Sequence, residues 1–317
     1  ASYLMKLKKP KFWHKENSII SILLFPLTCI VLLIIFFKKI ITKPVKFNIP
    51  IICVGNIYIG GTGKTPVSIY LANKLSGLGI KTAIMKKYYK SHADEHNLIK
   101  DNYNSLILDE DRIKGIRKAE KKNYDTIILD DGFQDYKIKK NLNIICFNNN
   151  QLIGNGLVIP SGPLRENLKS LNNANLIVIN GEKNIEFEKK IININKNLKI
   201  YYSEYIPENI KNFKNKKLLA VAAIGNPENF FKLIRKYKLN IEKELIYPDH
   251  YEFTKIEIEN IIKDARSKNY HIIMTEKHYF KFKYYDAENL DYLKVSLKSN
   301  NEESFIKKIR KIYVKKN

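Results

Sequence analysis

Cysteine is scarce in this sequence. Only Cys29, Cys53 and Cys146 occur among its 317 residues, each within an apolar run, and no C-x-x-C pair is present. A disulfide-stapled mini-domain is therefore excluded, and the pattern is typical of a reducing compartment. With 44% apolar residues, the chain can bury one large core or two modest ones, which also excludes a peptide hormone or a short disordered tail.

Acidic residues are few relative to basic ones. The chain has 56 Lys and Arg against 32 Asp and Glu, a formal net charge of +24. This surplus predicts an anionic partner, and nucleic acid, a negatively charged membrane leaflet or a phosphorylated small molecule would each fit it. The abundance of Lys, Asn and Ile, which genome-wide base composition can produce, is an alternative explanation, so the charge alone does not choose among these partners.

Charge of either sign is absent from residues 18–37, which read SIISILLFPLTCIVLLIIFF. As a helix this segment would be about 30 Å long, the thickness of a bilayer core, and we predict membrane attachment through a basic N-terminal segment and anchor at residues 1–47. Pro26 leaves open a kinked or interfacial helix. A cleaved signal peptide is the alternative, although the run is longer than a signal core and no small-residue cleavage site follows it.

From Asn48 onward, short β-rich apolar runs alternate with amphipathic stretches, which predicts an α/β fold with parallel strands covered by helices on both faces. We expect two lobes, at residues 48–185 and 216–317, with a polar connector at 186–215. The predicted strands are Ile51–Val54, Thr82–Met85, Thr126–Leu129, Asn143–Phe147, Leu176–Ile179, Leu218–Ala223 and His271–Thr275, and a helical stretch is predicted near Pro227–Tyr237.

A glycine-rich segment directly follows the first predicted strand, because residues 54–66 read VGNIYIGGTGKTP. Such a loop before a helix cradles phosphates with its backbone N–H groups, while Lys64 would reach the β- and γ-phosphates and Thr65 would offer a hydroxyl to Mg²⁺. The strict pattern has glycine where this chain has Tyr58. The sequence predicts a P-loop that binds a nucleoside triphosphate through Tyr58, Ile59, Gly60, Gly61, Thr62, Gly63, Lys64 and Thr65.

Two adjacent acids end another predicted strand, in the segment TIILDDGFQ at residues 126–134. Because the carboxyl ends of strands in an open α/β sheet face the ligand, Asp130 and Asp131 should emerge beside the phosphates and suit Mg²⁺. A helix cap or an Asx turn at the strand end is the alternative. Gln134 either orients a hydroxyl or water or is a surface amide.

The segment NGLVIPSGPLRE at residues 155–166 is a loop punctuated by glycine and proline. It places Arg165 on a rigid backbone, where a guanidinium can bind phosphate oxygens. Together with the glycine-rich loop and the paired acids, this indicates a P-loop phosphotransferase or nucleotide hydrolase without naming its acceptor.

The order of the motifs is more informative than any one of them. Behind the apolar helix come VGNIYIGGTGKTP, ADE at residues 93–95, ILDDGFQ, GNGLVIPSGPLRE, AIGNPENFF, YPDHY and MTEK. This series closely resembles the tetraacyldisaccharide 4′-kinase family. The resemblance extends from the anchor to about residue 280, and it implies a P-loop kinase lobe and a second, smaller α/β lobe joined by a β-ribbon, with the active site in the cleft between the lobes.

The activity that this resemblance implies is transfer of the γ-phosphate of ATP to the 4′-hydroxyl of tetraacyldisaccharide 1-phosphate, forming lipid IVA in lipid A biosynthesis. It places the chain at the inner leaflet of the inner membrane, with its catalytic lobes on the cytoplasmic side. The implied cofactors are ATP and Mg²⁺, and the glycolipid is the implied partner. We expect a monomer that does not bind nucleic acid.

Residue roles follow from the matching positions of the family. Asp94, which we expect in the loop after the second strand, matches the proposed general base, and His250 matches the histidine that would orient it. Residues 58–65 match the ATP-binding segment. Arg112 and Arg165 match positions where basic side chains would hold phosphate oxygens, and Asp130 and Asp131 match the metal-site acids.

Three positions depart from the family pattern. Residues 85–91 read MKKYYKS where the family has a loop of serine, arginine, glycine, tyrosine and glycine. Asp135 follows DGFQ where histidine is usual, and His278 follows MTEK where aspartate is usual. The two alternatives to a kinase are a membrane-associated P-loop GTPase or metallochaperone, and a basic nucleic-acid-binding protein, although no recognised nucleic-acid motif is present.

Overall fold

Strands and helices alternate along most of the chain, as the alternation of apolar and amphipathic segments predicts. A computed structural model describes residues 10–249, 251–285 and 288–314. The chain divides into a larger unit, with described residues in 10–88, 103–204 and 298–314, and a smaller unit, with described residues in 89–102 and 205–297.

The helices are α1 (Ile19–Ile41), α2 (Lys64–Gly77), α3 (Ala93–Asn102), α4 (Arg112–Lys121), α5 (Ile185–Ile194), α6 (Pro227–Lys236), α7 (Lys255–Ser267), α8 (Glu276–Phe282) and α9 (Glu302–Val314). The strands are β1 (Ile51–Gly55), β2 (Thr82–Lys87), β3 (Leu106–Asp109), β4 (Thr126–Asp130), β5 (Leu142–Asn148), β6 (Leu176–Asn180), β7 (Lys199–Pro207), β8 (Lys217–Ala222), β9 (Asn240–Ile246), β10 (His271–Thr275), β11 (Leu290–Leu293) and β12 (Val295–Ser299).

An eight-stranded sheet with the order β12-β7-β6-β5-β1-β4-β2-β3 runs through the larger unit, and the pairs from β7 to β3 are parallel. Strand β1 lies between β5 and β4 and is buried along its whole length. The register pairs Asp130 with Val54 on one side and with Lys86 on the other. The ends of β1, β4 and β2 therefore place these residues at the same edge of the sheet.

The smaller unit has a four-stranded parallel sheet with the order β11-β10-β8-β9. Alternate residues of β8 enter different cores, because Leu218 and Ala220 pack in one hydrophobic cluster with residues of α6, whereas Leu219 and Val221 pack in another with residues of α7. This two-sided burial explains why β8 is almost continuously apolar.

Helix α1 belongs to the larger unit, and it is the one helix among the described residues that is long and apolar enough to cross a membrane. One side of it packs on the rest of that unit. Ser21 and Thr28 are buried, and Val31 and Leu32 pack against the main hydrophobic cluster. The rest of its surface is apolar and exposed, including Ile19, Ile22, Leu23, Leu33, Ile34, Phe36, Phe37, Ile40 and Ile41.

Polar contacts hold α1 to the loop at residues 155–166. Asn155 Nδ2 donates to Ser21 Oγ at 3.1 Å, and Thr28 Oγ1 lies 2.8 Å from Ser161 Oγ. At the other end, Lys39 Nζ donates to Glu166 Oε2 at 2.5 Å. Since Ser21 and Lys39 are about 27 Å apart along the helix, at a rise of about 1.5 Å per residue, α1 is held along most of its length.

The predicted α/β class with a parallel-sheet lobe and an apolar N-terminal helix is confirmed, and the predicted strands lie within a residue or two of observed ones. Residues 186–215 include most of α5 and all of β7. The boundaries of the lobes stay a prediction. Residues 89–102 group with residues 205–297, and the described residues 298–314 group with the larger unit.

Replacing Lys39 with Met tests whether α1 is an integral part of the larger unit. Glu166 is only 2% exposed, so loss of the ammonium would leave a desolvated carboxylate without that partner. We expect the free energy of unfolding in detergent to fall by about 1–3 kcal/mol, measured by urea denaturation. The exposed Lys43→Met serves as the control. Equal stability of both variants would contradict the structural role of this contact.

Candidate active site

The glycine-rich segment forms the turn between β1 and α2, as predicted. Gly60 and Gly63 have φ values of 111° and 85°, which favour glycine, and Gly63 caps the first turn of α2. Asn56 braces the turn from within, because its Nδ2 donates to Thr62 Oγ1 at 2.9 Å and to Gly60 O at 3.2 Å. Asn180, at the end of β6, donates to Thr62 O at 2.6 Å. The turn is therefore fixed by side chains from two strand ends.

Tyr58, which stands where the strict motif has glycine, is a core residue. Its side chain is fully buried, and the burial raises its pKa to about 12. Its backbone forms an antiparallel bridge with Leu164, and Arg165 N donates to Ile57 O at 2.7 Å. Because its side chain is buried, Tyr58 can contribute only its backbone to a phosphate site. Backbone contacts with the segment at residues 157–165 hold this part of the glycine-rich turn in place.

Asp130 is fully buried at the end of β4 and accepts three hydrogen bonds from side chains. Thr65 Oγ1 and Lys86 Nζ donate to its Oδ2 at 2.8 and 2.5 Å, and Ser68 Oγ donates to its Oδ1 at 3.0 Å. Lys86 itself is 4% exposed. A buried carboxylate needs such compensation, and here the compensating charge comes from the segment that departs from the family pattern.

Asp131 follows with a left-handed φ of 58°, and its N–H donates to Val54 O at 2.9 Å. Its Oδ1 accepts from Arg165 Nη1 at 2.9 Å and lies 3.8 Å from Lys64 Nζ. Burial alone would raise the pKa of this carboxyl, but the positive charges of Lys64, Arg165 and Lys86 outweigh burial and hold the pKa well below its usual value. The carboxylate of Asp131 is therefore ionised at neutral pH.

The side chains of Arg112 and Gln134 donate hydrogen bonds to backbone carbonyl groups of the site. Arg112 Nη2 donates to Asp131 O at 2.8 Å, and its Nη1 lies 3.4 Å from Asp135 Oδ2. Gln134 Nε2 donates to Asn56 O at 2.9 Å. The unusual Asp135 thus has a cationic partner, and Gln134 holds the start of the glycine-rich turn.

The larger unit therefore brings together types of group that suit a polyphosphate. A glycine-rich turn leads into the amino end of α2, where the first N–H groups of a helix lack intrahelical partners, and Lys64 and Arg165 add two positive charges. The Thr65 hydroxyl and the carboxylates of Asp130 and Asp131 are hard oxygen ligands, which fit Mg²⁺. Among the described residues, no group of three or more His, Cys, Asp or Glu is placed to hold a metal ion.

A second cluster of ionisable groups lies in the smaller unit. Asp94 is buried in the first turn of α3, rather than in a loop as the sequence indicated, and its Oδ1 accepts from Glu95 N at 2.9 Å. Lys277 Nζ, from the first turn of α8, lies 3.4 Å from Asp94 Oδ2, 3.7 Å from Glu95 Oε1 and 3.0 Å from Asp249 Oδ1. His278 Nε2 lies 4.0 Å from Asp94 Oδ2.

The charges in this cluster are set by burial and by each other. Burial would lower the pKa of Lys277, but the carboxylates of Asp249, Glu95 and Asp94 outweigh it and raise that pKa, so Lys277 is cationic. Burial and the charge of Lys277 lower the pKa of His278 to about 3, so its ring is neutral at physiological pH.

The residues that the sequence analysis grouped as one catalytic set belong to two different units. Lys64, Thr65, Asp130, Asp131, Arg112, Gln134 and Arg165 meet in the larger unit, whereas Asp94 belongs to the smaller unit. His250 lies outside the described residues.

Sequence reasoning assigned no role to Lys86, Ser68, Asn180 or Lys277. A lysine at the end of a strand that is otherwise buried was the available signal for Lys86. Position in the MTEK motif was the signal for Lys277. Ser68 lies one helical turn after Lys64, a spacing that places both residues on the same side of α2.

Comparison with known proteins gives consistent matches. The family model described as LpxK, tetraacyldisaccharide-1-P 4′-kinase, matches residues 20–313. A tetraacyldisaccharide 4′-kinase of Pelagibacter ubique is 42% identical over 97% of this chain and 99% of its own length, and one from Rickettsia bellii is 33% identical with the same coverage. The crystal structure of LpxK from Aquifex aeolicus with ATP has a TM-score of 0.71 and 24% identity over 93% of this chain and 99% of that one, which shows the same fold.

The lowered pKa of Asp131 predicts a pH-dependent contribution to stability. A carboxyl with a depressed pKa in the folded state contributes fully above its unfolded pKa of about 3.9 and loses that contribution as the pH falls toward the folded pKa. The stability difference between wild type and Asp131→Asn, measured by urea unfolding, should be largest near neutral pH and shrink below about pH 4. The exposed Glu110→Gln serves as the control. A difference that grows on acidification would contradict the ion pairs described above.

Proposed function

The chain belongs to the tetraacyldisaccharide-1-phosphate 4′-kinase family and is a kinase that phosphorylates a lipid disaccharide, and on that premise we propose how its residues perform the reaction. The glycine-rich turn and the residues around it bind ATP, and Asp94 accepts the proton of the acceptor hydroxyl. The observation that carries the first part is the turn at residues 56–63 with Lys64 and Thr65 beside Asp130 and Asp131. The family match supports a kinase and not a GTPase or metallochaperone.

ATP binding is supported by the geometry of the turn. The backbone of residues 58–63 and the amino end of α2 surround the β- and γ-phosphates, and the Lys64 ammonium contacts them. Arg165 is braced through its own backbone N–H and pairs with Asp131, so its guanidinium is held at the edge of the same site. During transfer of the γ-phosphoryl group, negative charge redistributes over its oxygens. Lys64 and Arg165 are already in place to stabilise that charge, so the site would not have to rearrange.

Magnesium would be held by the Thr65 hydroxyl and by the carboxylates of Asp130 and Asp131. When bound, it would neutralise negative charge on the β- and γ-phosphates. Asp130 already accepts hydrogen bonds from Thr65, Ser68 and Lys86, whereas Asp131 is the more exposed of the two acids. We therefore propose that Asp130 would also orient the Thr65 hydroxyl, and that Asp131 lies on the more open side of the site.

Asp94 is the proposed general base. A carboxylate must be ionised to accept a proton, and the Lys277 ammonium at 3.4 Å favours that state. His250, which the family resemblance assigns as the group that orients this base, keeps that role here as a proposal. Removal of the proton from the 4′-hydroxyl by Asp94 lets the oxygen attack the γ-phosphorus in line, with ADP as the leaving group.

The acceptor is a glycolipid, and α1 supports a membrane location for the chain. Because α1 is held to the loop at 155–166 from Ser21 to Lys39, a spanning orientation would carry the polar backbone of that loop into the hydrocarbon region. We therefore propose that α1 lies in the plane of the interface, with its exposed apolar side in one leaflet. The segment at residues 43–46 adds exposed lysines that can contact anionic headgroups.

The side of the membrane follows from the chemistry. We propose the inner leaflet of the inner membrane with both units in the cytoplasm, because the reaction consumes ATP and because Cys29, Cys53 and Cys146 are free thiols, as suits a reducing compartment. The basic surplus would then serve the acceptor's phosphate and the surrounding anionic lipids. A monomer that does not bind nucleic acid is sufficient for this scheme.

Purified protein incubated in detergent with [γ-³²P]ATP, Mg²⁺ and tetraacyldisaccharide 1-phosphate should form a labelled bis-phosphorylated glycolipid. Lys64→Ala should abolish the product. Asp94→Asn should lower kcat by about 10²–10⁴ with little change in ATP affinity, because it removes base catalysis and leaves the phosphate site intact. The exposed Asp101→Asn on the same helix is the control. Wild-type kcat in the Asp94 variant would remove Asp94 from this role.

Vesicle flotation tests the interfacial orientation of α1. Leu23 is 73% exposed, so Leu23→Glu should weaken association with vesicles of anionic phospholipid by about tenfold or more. Leu78→Glu, on an exposed leucine that is 49% accessible at the end of α2, should leave flotation unchanged. Alkaline carbonate should extract the wild-type protein from membranes. Resistance to that extraction would indicate a spanning helix instead.

A further inference from the structure

His278 occupies an unusual place beside the proposed base. It lies in the first turn of α8 and is 1% exposed. Its Nδ1 lies 3.2 Å from Thr275 Oγ1, whereas its Nε2 has no hydrogen-bond partner among the described residues. A buried polar atom without a partner is costly, so its presence calls for an explanation.

The orphaned nitrogen faces Asp94. The distance from His278 Nε2 to Asp94 Oδ2 is 4.0 Å, about 1 Å longer than a hydrogen bond. Hydrogen bonds of catalytic groups are often long in ligand-free structures and shorten when substrate binds. Asp94 Oδ1 already accepts from Glu95 N at 2.9 Å, so Oδ2 is the oxygen that a contact from His278 would fix.

The protonation of the ring supports a donor at Nε2. Burial and the adjacent Lys277 keep the ring neutral, so it carries one N–H. If the Thr275 hydroxyl donates to Nδ1, the ring proton resides on Nε2 and points toward the carboxylate. The edge-to-face contact with Phe253, at a centroid separation of 6.3 Å, helps to fix the plane of the ring.

We propose that His278 is a positioning residue for this kinase, whose neutral Nε2–H donates to Asp94 Oδ2 and fixes the carboxylate in the orientation that accepts the hydroxyl proton. The proposal rests on the proposed role of Asp94 as the base. The Lys277 ammonium lies 3.4 Å from the same oxygen and attracts it electrostatically. An ammonium on a flexible side chain does little to fix the orientation of a carboxylate, whereas the N–H of a packed imidazole ring has a fixed direction.

Two amide variants separate a donor at Nε2 from simple packing. In His278→Gln the terminal amide nitrogen can reach the position of Nε2, whereas in His278→Asn it reaches only that of Nδ1. We expect the Gln variant to keep kcat within about threefold, and the Asn variant to lose about 10- to 100-fold in kcat with an unchanged KM for ATP, as a misplaced catalytic group would. Similar losses in both variants, in proportion to a fall in Tm, would show a packing role and overturn the proposal.

A double-mutant cycle with Asp94→Asn tests whether His278 acts through Asp94. In the Asp94→Asn background, His278→Asn should cause no further loss of kcat, because the group that it orients is already absent. Additive losses would overturn the positioning role. If His278→Asn does not fold, His278→Met takes its place against His278→Gln, since Met has similar length and no donor.

The two proposals fail in different ways. Full kcat in Asp94→Asn would remove Asp94 as the base, and the inference about His278 would fall with it. A large loss in Asp94→Asn together with wild-type kcat in His278→Asn would leave the base in place and overturn the positioning role alone.

Discussion

The proposed phosphate site of the larger unit depends on one buried carboxylate. Asp130 is inaccessible to solvent and accepts hydrogen bonds from Thr65 and Ser68 of α2 and from Lys86 of β2. An unpaired charge at this depth would cost several kcal/mol, so the three donors are obligatory partners of the strand end. Their contacts fix the first turns of α2 against β4 and β2, and this alignment sets the direction of the glycine-rich turn. The Lys86 ammonium balances the charge of the Asp130 carboxylate.

The chain links this site directly to α1. Arg165 and Glu166 are adjacent, and the first pairs with Asp131 in the phosphate site while the second pairs with Lys39 of α1. Two neighbouring residues of this loop therefore contact two different features of the larger unit. A displacement of α1 at Lys39 would therefore reach Arg165 through Glu166 and the peptide bond that joins the two residues. The apolar helix is therefore part of the support of the site and not a separate anchor.

Local patterns were sufficient to predict much of this structure. The turn at residues 56–63 and the acids at the end of β4 follow from contiguous sequence, and both lie where the pattern placed them. Contacts between residues on neighbouring strands were not predictable from local sequence. Lys86 and Asp130 are distant in the chain, and only the pairing register of β2 and β4 brings them together. Helix α5 was missed because its abundant polar residues obscured the i, i+4 spacing of Phe187 and Ile191, both of which are buried. Asp94 was placed in a loop because α3 is short and polar.

The electrostatics around Asp94 reflect two opposing requirements. A general base must be ionised, which favours a nearby cation, yet a strongly paired carboxylate is a weak proton acceptor. Lys277 lies close to Asp94, but its charge is also shared with Asp249, at 3.0 Å, and with Glu95, at 3.7 Å. The positive charge of Lys277 is therefore shared among three carboxylates and does not belong to Asp94 alone. In the proposed arrangement, the neutral donor His278 orients the same carboxylate without adding a second positive charge, so orientation and ionisation would depend on different residues.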